Sequence, residues 1–161
     1  MSGALDRFLE AARVEGLEVD VRRFPEGTKT AEDAARAVGC DVAQIVKSLV
    51  FTADDGSPLL ALTSGRHRVD TVALAAAAGV PSVRRATPEE ARAATGYAVG
   101  GTPPFGHPSP VRTFIDPELL RHDAVWAAAG TPDSVFAVAP DRLRALTHAT
   151  EADFAGTRPA G

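Results

Sequence analysis

Apolar residues recur near helical spacing at Leu5, Phe8, Leu9, Ala12 and Val14 and stop at Gly16, which predicts an amphipathic first helix. Leu17, Val19 and Val21 then alternate with polar neighbours and predict a strand. Thr30, followed by Glu32 and Asp33, marks a second helix start, and Ala31, Ala34, Ala35 and Val38 carry it to Gly39. Residues 45–51 are short and rich in branched apolar side chains, the pattern of a buried strand. Asp54, Asp55, Gly56, Ser57 and Pro58 then turn the chain into a hairpin partner over 59–63. An alanine-rich helix is predicted over 70–78, ended by Gly79, with a short strand over 82–84 after it. Thr87 and Pro88 open another helix, the hydroxyl capping it and the proline filling its first turn. Glycine and proline dominate 96–110, a long loop, and loops of that length in a small domain are usually functional. Three more strands (111–115, 125–129 and 135–138) and a last helix (141–146) precede a tail rich in glycine, alanine and proline.

Strands and helices mix without a regular βαβ repeat, so the pattern predicts one α+β domain over residues 1–150, with 151–161 expected to fray. A chain of 161 residues is long enough to bury such a core. The longest apolar stretch, 71–83, is mostly alanine and is broken by Gly79 and Pro81, too short to span a bilayer. Asp6 and Glu10 interrupt any hydrophobic signal core at the N-terminus, and a cytoplasmic location is the expectation. The single cysteine, Cys40, excludes an intrachain disulfide framework and any multi-cysteine metal site. With 17 basic and 21 acidic residues the formal charge is −4, which argues against extended coating of nucleic acid. The small arginine pairs Arg22–Arg23, Arg66–Arg68 and Arg84–Arg85 still leave room for a single-stranded end.

Chemistry concentrates at three places. Lys29 and Lys47 are the only lysines, and Lys47 sits inside the most apolar predicted strand. Period-two alternation puts it on a face with Ile45, Leu49 and Phe51, leaving Val46, Ser48 and Val50 on the other. An ammonium there loses hydration unless an anion or acceptors replace water; it is either a snorkelling edge lysine or a group held at a cavity mouth. In the second role it would draw a phosphate or an ester carbonyl oxygen and stabilise charge developing on the latter. The loop Gly96-Tyr97-Ala98-Val99-Gly100-Gly101-Thr102-Pro103-Pro104-Phe105-Gly106 is neither a dinucleotide fingerprint nor a P-loop. It reads either as a rigid connector or as backbone presented to a small substrate. Gly130, ending the Trp126 strand, is a turn residue or a point of close ligand approach. His67, His107, His122 and His148 lack zinc-site spacing, Ser64 lacks a nucleophile elbow, and no carboxylate pair stands out.

Three runs in order are similar to the YbaK-like family, the editing domain of bacterial prolyl-tRNA synthetases and its free-standing relatives. They are Thr30-Ala31-Glu32-Asp33-Ala34-Ala35, Gln44-Ile45-Val46-Lys47-Ser48-Leu49-Val50-Phe51, and Thr95 followed by the glycine loop to Gly106. The agreement extends over roughly residues 5–146. The resemblance implies a mixed, barrel-like β-sheet flanked by helices in a single domain, and hydrolysis of the ester joining a wrong amino acid to tRNA, without metal or cofactor. It implies that Lys47 is the catalytic lysine, and that Thr30, Ser48, Gly100, Gly101, Pro104 and Gly130 bind substrate. The partner it implies is the 3′ end of a mischarged tRNA, with tRNA-Pro and a prolyl-tRNA synthetase as the expected context. The aromatic and acidic residues of the cysteine-specific branch are not matched around Val21 and Thr30 or at Asp133, which points to another small amino acid. A ribose hydroxyl of the substrate would then help water attack, since no protein base is evident. The alternative is a non-catalytic module on the same fold that binds tRNA ends or a translation factor.

Overall fold

The computed structural model describes residues 3–24 and 30–156. The chain runs α1 (Ala4–Val14), β1 (Val21–Arg23), α2 (Ala31–Val38), β2 (Val46–Ala53), β3 (Pro58–Ser64), α3 (Thr71–Ala78), β4 (Val83–Arg85) and α4 (Pro88–Thr95). It continues through β5 (Arg112–Ile115), β6 (Val125–Ala128), β7 (Ser134–Val138), α5 (Pro140–Thr147) and β8 (Thr150–Glu151), with short 3-10 turns at Val42–Gln44 and Pro117–Arg121. The helix ends follow from local chemistry. The Thr30 hydroxyl accepts from the Asp33 N–H and Gly39 closes α2 in the left-handed region. Asp70 caps α3 through two backbone N–H groups, and Thr87 with Glu90 forms a reciprocal cap on α4.

Five strands form one sheet in the order β4-β2-β3-β5-β8, and three form a second in the order β1-β7-β6. The large sheet is mixed, since β2 pairs antiparallel with β3 and β4 whereas β5 is parallel to β3. The two sheets lean together through a parallel bridge between Ile45 and Trp126 and do not close into a barrel. Both faces of the central hairpin are buried, so its strands read as almost continuous apolar runs. Leu60 and Leu62 of β3 join Val46 and Val50 in one core, together with the tilted and edge-on rings of Phe8, Phe105 and Phe136. Leu59 and Ala61 turn to the other side, against Phe51, Leu74, Phe114 and Phe154 under α3.

Two expectations from the sequence are corrected. Leu17 and Val19 pack against the first core without pairing, and the strand begins only at Val21, opposite Phe136. Their alternation recorded burial, which needs no ladder. The C-terminal segment does not fray where it is described. Thr150 and Glu151 pair with Phe114 and Ile115, and Phe154 is fully buried. Its carbonyl accepts from the Asp70 N–H at 2.7 Å. One aromatic anchor outweighs the alanine and glycine around it. Residues 157–161 of the expected tail lie outside the described residues.

Candidate active site

The site lies where the two sheets part. β4 pairs with β2 only from Phe51 onward, and Val50 accepts from the Ala86 N–H. Between that point and the Ile45–Trp126 bridge no strand pairs with this edge of β2 among the described residues. The gap is a cavity of about 240 Å³. β2 forms its floor with Lys47, Ser48 and Val50; Ala34 of α2, Ala127 and Ala128 of β6 and Val135 of β7 form apolar walls. Val99, Gly100 and Thr102 of the glycine-rich loop close one side.

Lys47 is half-buried there, and its Nζ donates to the backbone carbonyl of His67 at 2.5 Å. Burial pushes the ammonium below its ordinary value of 10.5; Glu32 opposes the shift, while the positive charges of Arg68 and Arg85 add to it. Ser48 carries the second signal. The residue lines the cavity, and its hydroxyl is buried without a hydrogen-bond partner, the one such side-chain atom among the described residues. Native interiors rarely leave a hydroxyl unpaired, which sets this one apart. No carboxylate, imidazole or thiol lines the cavity among the described residues.

The other expected site residues separate into two groups. Thr30 lines the cavity, but its hydroxyl is engaged in capping α2. Gly100 lines it too, with φ near +91°, a conformation that favours glycine. Gly101, Gly130 and Pro104 stand outside the lining. A Cβ on Gly101 would come within 2.9 Å of the Gly130 carbonyl oxygen, and one on Gly130 within 2.7 Å of the Ala4 carbonyl oxygen. The two glycines therefore stack the loop, the β6–β7 turn and the start of α1 backbone to backbone. Pro104 faces a separate groove beside Phe105 and His107.

The arginine pairs noted in the sequence resolve here into a cationic rim. Seven arginines of the described residues (Arg13, Arg23, Arg36, Arg66, Arg84, Arg121 and Arg144) each hold a carboxylate. Seven others hold none among the described residues, and three of these, Arg22, Arg68 and Arg85, bear on this cavity. Arg85 lines it, Arg68 is close enough to Lys47 to act on its charge, and Arg22 lies 4.9 Å from the ring centroid of Trp126, a cavity wall. Arg85 also packs 5.7 Å from the Phe51 ring centroid. The pairs Arg22–Arg23, Arg66–Arg68 and Arg84–Arg85 carried the signal, but only the fold shows which member of each holds a carboxylate.

Comparison with known proteins places these features in a family. Residues 25–146 match the model of the aminoacyl-tRNA editing domain. A solved structure described as a candidate trans-editing enzyme for prolyl-tRNA synthetase is 43% identical, with a TM-score of 0.90 over 97% of this chain and 99% of that one. A candidate Cys-tRNA(Pro)/Cys-tRNA(Cys) deacylase, EbsC of Enterococcus faecalis, is 28% identical over 81% of this chain and 80% of its own length. The proline–tRNA ligase of Nitratidesulfovibrio vulgaris is 38% identical over 62% of this chain, a match that spans 17% of the ligase. Among the described residues no helix is long and apolar enough to cross a membrane. With the family model covering most of its length, and the lysine strand and glycine loop inside that match, the chain belongs to the aminoacyl-tRNA editing domain family.

Proposed function

We propose that this chain is an aminoacyl-tRNA deacylase acting in trans, which releases a small, wrongly attached amino acid from the 3′ end of tRNA, with tRNA-Pro the expected carrier. The observation that carries the reading is the pairing of a half-buried ammonium, Lys47, with a buried and unpartnered hydroxyl, Ser48, in one cavity. The cavity's roughly 240 Å³ suits a small aminoacyl group with its ribose at the mouth. Walls of alanine and valine exclude larger side chains by size, the kind of discrimination an apolar pocket performs well.

In this mechanism Lys47 places an N–H on the ester carbonyl oxygen and stabilises the negative charge that builds there. Ser48 accepts from the substrate's α-ammonium and fixes the ester over the lysine. A water oxygen attacks the carbonyl carbon, its proton passing to the neighbouring ribose hydroxyl, which relays a proton onward because the lining supplies no base. The bond to the ribose oxygen breaks, that oxygen takes the proton which the neighbouring hydroxyl gives up in exchange for the water's, and the free amino acid leaves. Arg22, Arg68 and Arg85 hold phosphates of the unpaired end, which reconciles nucleic-acid binding with a net acidic protein. The relatedness to segments of proline–tRNA ligases supports tRNA-Pro as the carrier.

The test is single-turnover incubation with a panel of tRNA-Pro species charged with alanine, serine, cysteine, 2-aminobutyrate and proline. Release of one or more small residues with proline spared is expected. Retardation of tRNA without release would convert the protein into the non-catalytic binder.

A further inference from the structure

Lys47 is aimed by a turn outside its own strand. The turn that follows β3 is tied down by Gly65 N–H on the Ile45 carbonyl at 2.7 Å, and by His67 N–H on the Ser64 carbonyl at 2.9 Å. Its side-chain anchor is Asp116, which is 1% exposed. One carboxylate oxygen accepts from the Ser64 N–H at 3.1 Å and meets His67 Nδ1 at 2.8 Å; the other accepts from the Glu118 N–H at 3.0 Å. A carboxylate only accepts, so Nδ1 carries the imidazole proton in this pair. Capping the 3-10 turn would need only the Glu118 contact. The imidazole contact is additional, and it falls on the residue whose carbonyl grips Lys47.

We propose that Asp116 and His67 are positioning residues for Lys47. The buried carboxylate fixes the imidazole, the fixed residue holds its backbone carbonyl in place, and that carbonyl takes one ammonium N–H and leaves two for the cavity. A lysine on a flexible four-carbon stem otherwise samples several rotamers, and loss of aim at a reacting centre is costly out of proportion to the distance moved. This goes beyond the deacylase reading, on which only the kinetic half of the test depends.

Because the chain has two lysines, protein labelled with ¹³C at lysine Cε gives two side-chain signals, and Lys29→Arg assigns them. In His67→Ala the Lys47 signal is expected to shift and its titration midpoint to move, with Lys29 unchanged. His67→Asn, whose amide N–H can meet Asp116, is expected to restore both. Single-turnover deacylation should fall about tenfold to a hundredfold in His67→Ala, with KM for tRNA unchanged and partial recovery in His67→Asn. Asp116→Asn should resemble His67→Ala; should it fail to fold, the His67 pair decides, since that side chain is 27% exposed. A folded His67→Ala with the wild-type Lys47 signal and midpoint overturns the proposal, as does a loss that His67→Asn leaves wholly unrestored. If the wild-type protein releases no amino acid at all, the deacylase reading fails while the NMR result still decides the positioning.

Discussion

Replacing Ser48 with alanine should separate stability from activity. In the free protein the Ser48 hydroxyl is buried without a partner, a state that costs about 1–3 kcal/mol. Alanine removes that penalty and only one oxygen's worth of packing, so a net gain of about 1 kcal/mol is expected. For a chain of this size that corresponds to a rise in Tm of about 2–4 °C. Loss of a hydrogen bond to the substrate's charged amine removes about 1.5–3 kcal/mol, which is about tenfold to a hundredfold in single-turnover rate. Thermal melting followed by circular dichroism and release of labelled amino acid from mischarged tRNA give the two readouts. A fall in Tm would show that the hydroxyl has a structural partner. A rise in Tm with an unchanged rate would show that it has no part in binding substrate.

Three further outcomes follow from the same geometry. If Arg22, Arg68 and Arg85 each neutralise one phosphate, log(kcat/KM) should fall against log salt with a slope of about −2, and Arg85→Gln should reduce its magnitude by about 0.7; an unchanged slope would remove the rim from tRNA binding. Burial holds the Lys47 ammonium below 10.5, so the enzymatic rate should decline as pH rises through that lowered value. A rate that instead climbs through it would assign the neutral amine a role as base. The same shift has a sign in stability: between the lowered native value and 10.5 the unfolded chain binds the proton more tightly, so this group makes the fold more stable as pH rises there. Phe154→Ala should destabilise the protein by about 3–5 kcal/mol in urea unfolding, and a loss under 1 kcal/mol would mean that the C-terminal segment contributes little.

What the sequence made legible was mostly local. The helix starts at Thr30 and Thr87 and the stops at Gly39 and Gly79 depend on a few neighbouring residues, and the helices begin and end where those residues indicate. The β2–β3 hairpin was equally plain, because strands buried on both faces leave an apolar run. Phe154 was invisible for the opposite reason. Its neighbours are small or polar, and the partners that bury it, Leu74 and Phe114, arrive from distant segments. The candidate site divides in the same way. Lys47 could be singled out because an isolated cation inside an oily strand violates a local pattern. The arginine rim could not, since Arg22, Arg68 and Arg85 come from three separate parts of the chain and look like Arg23, Arg66 and Arg84 beside them. Only the fold shows that the second set is neutralised by Asp133, Asp41 and Glu90. The His67–Asp116 contact spans 49 positions and left no local trace.

The measurement closest to the central claim compares Lys47→Ala with wild type on one preparation of mischarged tRNA, under single-turnover conditions. Amino-acid release should fall to the rate in buffer alone, while the variant keeps its melting curve and still binds the tRNA. Release by the folded variant at a rate near wild type would contradict the account, because the reaction would then proceed without the cation on which the mechanism turns.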